Sequence, residues 1–149
     1  MKKKRITRMR KRLKFIHITK CAGTTIEDLG FSRGIKWGRH QKHEYGYWHH
    51  PFPLKNPSLK RRYHWFMVVR NPYERLVSEF YCKWGGLGNK QSIDFNERQF
   101  NDFIEEKITD KSFQNKSGHY VPQYKYLDKN QTIHIIHFEN IEKEFNELM

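Results

Sequence analysis

Five consecutive apolar residues, Trp65-Phe66-Met67-Val68-Val69, constrain this chain more than any other feature. A run without polar alternation reads as a strand covered on both faces, so the fold must supply material above and below it. The run ends in Arg70-Asn71-Pro72, with Pro72 well suited to a first helical turn. Leu76, Val77, Phe80 and Tyr81 then recur at helical spacing up to Gly85-Gly86. The same alternation of strand and helix recurs elsewhere. Leu13–Ile18 predicts a first strand, and Thr25–Leu29 a helix capped by Thr24 or Thr25 and stopped by Gly30. Phe95–Ile108 predicts an amphipathic helix, Thr132–Phe138 a third strand, and Ile141–Met149 a last helix. Residues 31–64, with five of the nine histidines, read as a long functional loop holding a short strand at Tyr45–His49. Strands separated by helices imply an α/β domain with a mainly parallel sheet and a site at the carboxyl ends of its strands.

At 149 residues there is room for one domain, taken as residues 13–149 behind a basic tail at 1–12. The mean hydropathy is −0.97, yet 15% of the residues are aromatic, enough for a compact core. No stretch approaches the roughly 18–20 apolar residues of a membrane span, and the N-terminus lacks a secretory apolar block, so the chain is expected to be soluble. The net charge of +13 is uneven: residues 1–14 hold nine of the 29 Lys and Arg and no acid, while the other 135 residues carry 20 basic against 16 acidic groups. Such a tail is a solvated arm able to contact a polyanion, whether nucleic acid, membrane surface or sulfated glycan. Cys21 and Cys82 fit neither a zinc ribbon nor a disulfide scaffold, which favours a reducing compartment such as the cytoplasm.

Two segments carry chemistry. Between the first strand and its helix lies Thr19-Lys20-Cys21-Ala22-Gly23-Thr24-Thr25, where backbone N–H groups, the helix N-terminus and two hydroxyls can converge on a phosphate or sulfate. Gly23 would let backbone approach the anion, and Lys20 would add a charge beside it. The segment is not the nucleotide triphosphatase loop, because no Gly-Lys pair exists. The second segment is Arg70 at the end of the inner strand with Ser78 two helical turns on, a fork and a hydroxyl suited to a second phosphate group. The plain alternative pairs Arg70 with Glu74 or Glu79 and leaves Ser78 as a small packing residue.

Together, Thr19–Thr25 and Val68-Val69-Arg70-Asn71-Pro72-Tyr73-Glu74-Arg75-Leu76-Val77-Ser78 resemble the two signatures of sulfotransferases that use 3′-phosphoadenosine 5′-phosphosulfate, most closely the branch that includes carbohydrate sulfotransferases. Trp48-His49-His50-Pro51, Gly118-His119-Tyr120-Val121-Pro122-Gln123 and Phe138-Glu139-Asn140-Ile141 extend the likeness over about residues 13–149. The resemblance implies a P-loop-like three-layer fold with a central sheet flanked by helices, and no metal. It implies that Lys20, Cys21, Ala22, Gly23, Thr24 and Thr25 hold the 5′-phosphosulfate and that Arg70 and Ser78 hold the 3′-phosphate. His119 and Gln123 would line the pocket of a carbohydrate or other hydroxyl acceptor. Family members usually continue past the position of Met149 with segments that cover the nucleotide, so the adenine side is expected to be incomplete. Golgi members carry an anchor not seen here, which again points to the cytoplasm.

The reaction sets its own demands. In-line transfer of SO3 to a hydroxyl needs donor and acceptor aligned, positive charge at the bridging oxygen, and a base for the acceptor proton. Lys20 suits the charge and a histidine the proton. His49 is the first choice, in a Trp-His-x-Pro pattern like the family's, and His50 the second; His40, His43 and His119 stay open. His17, His134 and His137 fall in predicted strands and read as core or edge residues. A zinc cluster from His40, His43, His49 and His50 lacks cysteine or carboxylate partners at ligand spacing. Aromatic residues at 37, 45, 47, 48, 63 and 65 can stack on sugar or adenine or fill the core. Arg75 reads equally as surface charge or ligand, and Glu139 as the cap of its own helix or the orienter of a histidine. Two rival functions share parts of this pattern. A small P-loop kinase would require a Gly-Lys-Ser/Thr loop and an acidic magnesium ligand, and a polyanion or nucleic-acid binder would work through the tail.

Overall fold

The structure is a computed structural model that describes residues 13–35, 37, 49, 61–88, 96–110 and 118–149. Three parallel strands, β1 (Leu13–Ile16), β2 (His64–Val69) and β3 (Ile133–His137), form a sheet in the order β1-β2-β3. Leu13 lies opposite His64 and Ile16 opposite Met67; on the other side Trp65 faces Ile133 and Val69 faces His137. The sheet is flanked by helices: α1 (Gly23–Ser32), α2 (Pro72–Phe80), α3 (Glu97–Thr109) and α4 (Ile141–Leu148). The expected α/β class and parallel sheet are what the chain adopts.

β2 is central because all four residues Trp65, Phe66, Met67 and Val68 are buried, two on each face of the pleat. Phe66 packs against Phe15, Trp37 and Phe145, and the main core continues through Ile16, Ile18, Ile26, Val121, Tyr126 and Ile136. A second cluster, Phe80, Phe103 and Tyr120, joins α2 to α3 and to the segment after Gly118. β3 is half-covered: Ile136 is buried while Ile135 and His134 are exposed.

Most elements lie within a few residues of their expected positions, and the exceptions have local reasons. β1 ends at Ile16, not Ile18, because the turn toward α1 begins at once. α1 starts at Gly23 and runs through Gly30, which is buried where a Cβ would strike the Trp37 indole. The stop is Gly34 instead. Its φ is 69°, and the Gly34 and Ile35 N–H groups donate to the carbonyls of Phe31 and Gly30 at 3.0 and 2.8 Å, the Schellman closure that favours glycine. α2 opens as expected, with Asn71 accepting from the Tyr73 N–H at 2.9 Å and Pro72 at the first position, but it ends at Phe80 rather than at the glycine pair. α3 is capped by Asn96, whose side chain accepts from the Gln99 N–H at 3.0 Å. The tail at 1–12 and the expected strand over Tyr45–Trp48 lie outside the described residues.

Candidate active site

The three strands are parallel, so their carboxyl ends lie at one edge of the sheet, and the residues that follow them meet there. A cleft of about 310 Å³ is lined by His17, Thr19, Lys20 and the start of α1 after β1, by Arg70 and Ser78 after β2, and by Phe138 after β3. His49, Cys82, Trp84 and His119 complete it. The two sequence segments expected to hold anions therefore share one cleft.

The turn from Thr19 to Ala22 is tight because Lys20 and Ala22 both have left-handed backbones, with φ of 60° and 58°. Such residues cost on the order of 1–3 kcal/mol each and persist only where the surroundings hold them. Here the clamp is Arg75. Its Nε donates to the Thr19 carbonyl at 3.0 Å and its Nη2 to the Thr19 hydroxyl at 2.8 Å, while the Val121 and His119 carbonyls take its other bonds at 3.1 and 2.8 Å. Arg75 is 7% exposed, so it is neither a surface charge nor a ligand but the pin that joins the loop after β1 to the segment at 118–121. With Ala22 at the N-cap, the expected threonine cap is absent: no side chain caps α1, and Thr24 and Thr25 are exposed. The first-turn N–H groups of α1 thus remain donors for an anion.

Two of the expected ligands have other tasks. Cys21 is fully buried, its thiol donates to Gln123 Oε1 at 3.5 Å, and burial raises its pKa to about 11. Any contribution to an anion comes from its backbone. Gly23 is demanded by a neighbour, since a Cβ there would overlap the His17 imidazole.

After β2, Gln123 grips the backbone of Arg70, accepting its N–H at 2.9 Å and donating to its carbonyl at 2.8 Å. Gln123 thus holds in place the strand end that carries Arg70. The Arg70 guanidinium lies over the Phe138 ring, 4.3 Å from its centroid, with a loose 3.4 Å contact to exposed Glu74. Glu139 caps a different helix from the one expected: it accepts the Asn71 N–H at 2.7 Å, and that bond holds its carboxyl below the ordinary range.

Two imidazoles in the cleft have carboxylate partners. His17 Nδ1 is 2.9 Å from Glu27 Oε1, and His119 Nδ1 is 2.5 Å from Glu79 Oε1. The His49 ring stands between them, its centroid 4.5 Å from that of His17 and 5.5 Å from that of His119. His49 has φ of 67°, and its carbonyl accepts from the Tyr126 hydroxyl at 2.7 Å. His50, His40 and His43 lie outside the described residues. Glu79, Cys82 and His119 each place a possible metal-ligand atom within 4.8 Å of the others, a grouping that sequence spacing did not single out.

The residues that sequence reasoning missed are Glu79, Trp84, Cys82 and the structural role of Arg75. No local pattern signalled this: the apolar stripe reads Leu76, Val77, Phe80 and Tyr81, yet the buried face of α2 carries Arg75, Glu79 and Phe80 while Val77 and Tyr81 are exposed. Of the aromatic candidates, Trp37 and Trp65 are buried in the core and Tyr63 packs on Trp65, while the residues at 45, 47 and 48 are outside the described set.

A family model described as "Sulfotransferase family" matches residues 4–149, nearly the whole chain. The chain belongs to the sulfotransferase family, and sulfuryl transfer is its reaction class. No curated protein and no solved structure matches it. Among the described residues no helix is long and apolar enough to cross a membrane.

Proposed function

We propose that this chain transfers a sulfuryl group from 3′-phosphoadenosine 5′-phosphosulfate to a hydroxyl, most plausibly on a carbohydrate. The supporting observation is the single cleft in which the uncapped N-terminus of α1 and Lys20 stand on one side and Arg70 with Ser78 on the other. Two separate anion receptors fit a ligand that carries a phosphosulfate at one end and a phosphate at the other. The donor set suits it: α1 offers N–H groups and a positive dipole end, and Arg70 offers a planar fork already oriented over Phe138. The exposed Glu74 contact is of the kind worth about 0–1 kcal/mol, so a phosphate displaces it readily.

When bound, the donor supplies the sulfuryl group and a phosphate leaving group. Lys20, held in its left-handed turn, puts an ammonium where negative charge builds on the bridging oxygen. A cleft histidine takes the acceptor proton, and the family resemblance nominates His49, with His50 next. Residues 1–12, with their excess of Lys and Arg, draw an anionic acceptor toward the domain. Localisation in the cytoplasm belongs to the same reading.

Calorimetry with 3′,5′-adenosine bisphosphate tests the donor site. The parent is expected to bind, and Arg70→Ala to bind at least tenfold more weakly. A folded parent without binding overturns the donor assignment, and equal binding by both proteins removes Arg70 from it.

A further inference from the structure

Among the described residues three histidines, His17, His49 and His119, line the cleft. Building on the sulfotransferase reading above, we propose that His119 is the catalytic base and that buried Glu79 is the positioning residue that holds its tautomer, with His49 forming the wall beside it.

Glu79 projects from α2 into the protein and is 1% exposed, whereas the His119 side chain is 13% exposed and reaches the cleft wall that Glu79 does not. Their 2.5 Å contact joins Nδ1 to Oε1. A carboxylate only accepts, so the proton sits on Nδ1 and the lone pair falls to Nε2, the form a base requires. The pair has no slack. A Cβ on Gly85 would come within 2.6 Å of His119 Nδ1 and 2.7 Å of Glu79 Oε1, so the residue beside the pair must be glycine. The backbone is fixed as well, because the His119 carbonyl accepts from Arg75 and from the Thr19 hydroxyl. One guanidinium therefore ties the loop of the proposed base to the loop of Lys20, the group at the other end of the reaction.

His17 has the same kind of partner but is the wrong residue. Its side chain is 6% exposed, and its ring is seated against Gly23 beneath the turn. The resemblance nominates His49, whose ring packs against both paired imidazoles and whose carbonyl is held by the Tyr126 hydroxyl. A metal would use the same atoms together with Cys82, so it competes with the hydrogen bond between His119 and Glu79. Two ligands of one tetrahedral zinc, with bonds of about 2.0–2.2 Å, stand about 3.3 Å apart, whereas 2.5 Å is a hydrogen bond.

In the transfer step the acceptor oxygen forms the new S–O bond as the S–O bond to the donor phosphate breaks, and that electron pair stays on the phosphate oxygen. The hydroxyl proton passes to His119 Nε2, Glu79 stabilises the imidazolium that results, and the proton then leaves to water.

The test follows 3′,5′-adenosine bisphosphate release from the sulfated donor, with water and with a disaccharide as acceptors, in the parent, His119→Ala, His49→Ala and Glu79→Gln. Calorimetric binding of 3′,5′-adenosine bisphosphate checks fold and donor site in each. His119→Ala is expected to lower kcat by about 10²–10⁴ with KM for the donor within about threefold, and added imidazole to restore part of the rate. Glu79→Gln should follow the same split. A His119→Ala protein that binds the nucleotide and turns over within threefold of the parent overturns the proposal, as does a larger loss in His49→Ala. Should Glu79→Gln fail to fold, the imidazole rescue of His119→Ala decides. The long-range ¹H–¹⁵N spectrum of the histidine rings reads the pair independently of turnover. His119 protonated on Nδ1 supports it, protonation on Nε2 overturns it, and so does stoichiometric zinc binding that Glu79→Gln abolishes. A parent that binds no nucleotide sinks the donor assignment, and that outcome is distinct because the ring spectrum still reports on the pair.

Discussion

Among the described residues two buried histidine–glutamate pairs are built to nearly the same plan, while a third, His137 with Glu144, lies at the surface. In each, a glutamate from the inward face of a helix, Glu27 of α1 or Glu79 of α2, meets an imidazole Nδ1. In each, the second carboxylate oxygen is buried without a hydrogen-bond partner, and a glycine, Gly23 or Gly85, leaves the ring its space. The difference is location. His17 follows β1 directly and lines the cleft with its ring seated against Gly23 and only 6% exposed, while His119, 13% exposed, sits on a segment pinned at the rim. A paired imidazole is thus a structural unit first, and access to the reacting atoms makes one of the two a reagent.

The comparison breaks most severely at Arg75, which serves both sides. Arg75→Met removes the bonds that hold Thr19, His119 and Val121 and leaves their buried carbonyls unpaired. It should cost about 3–5 kcal/mol in denaturant unfolding and roughly 10 °C in Tm. Next come the glycines. Gly23→Ala and Gly85→Ala each force a ring aside and should cost about 1–3 kcal/mol by the same measurement. Gly85→Ala should lose turnover beyond its loss of stability, whereas Gly23→Ala should also weaken nucleotide binding.

The comparison sharpens with Glu27→Gln, which is expected to lower stability by about 1–3 kcal/mol yet leave kcat of the folded protein within threefold. A 100-fold loss there would make the two pairs functionally equivalent and remove the distinction. A smaller effect concerns pH. The Asn71 N–H lowers the Glu139 pKa from 4.5, so this carboxylate adds stability above its unfolded pKa that disappears as pH falls through the lower folded value. Glu139→Gln should lower Tm at neutral pH, where that stability is present, and so flatten the acid limb of a Tm-against-pH curve. Smallest of all, Glu74→Ala should leave stability within about 0.5 kcal/mol, and should tighten nucleotide binding up to about threefold by releasing Arg70.

Much of the architecture could be read from local pattern, since strand and helix periods depend on near neighbours in the chain. Trp65–Val69 had to be the inner strand, and Pro72 had to start a helix. The anion turn was legible as well, because Lys20, Gly23, Thr24 and Thr25 are consecutive enough to act through one backbone. The errors share a cause. Gly30, Arg75 and Glu139 were each read at their own position, while the partners that fix them lie elsewhere in the chain: Trp37 seven residues on, Thr19 and Val121, and Asn71.

By itself, then, the sequence determined an α/β chain with two segments whose residue types suit an anion, because period, turn chemistry and charge are local properties. Which histidine faces the reaction was decided only by the fold. Glu79 and His119 are 40 positions apart, and their contact exists because α2 and the segment after Gly118 pack on the same edge of the sheet. No local rule encodes that meeting; packing creates it, by bringing a buried carboxylate within hydrogen-bond distance of the His119 imidazole.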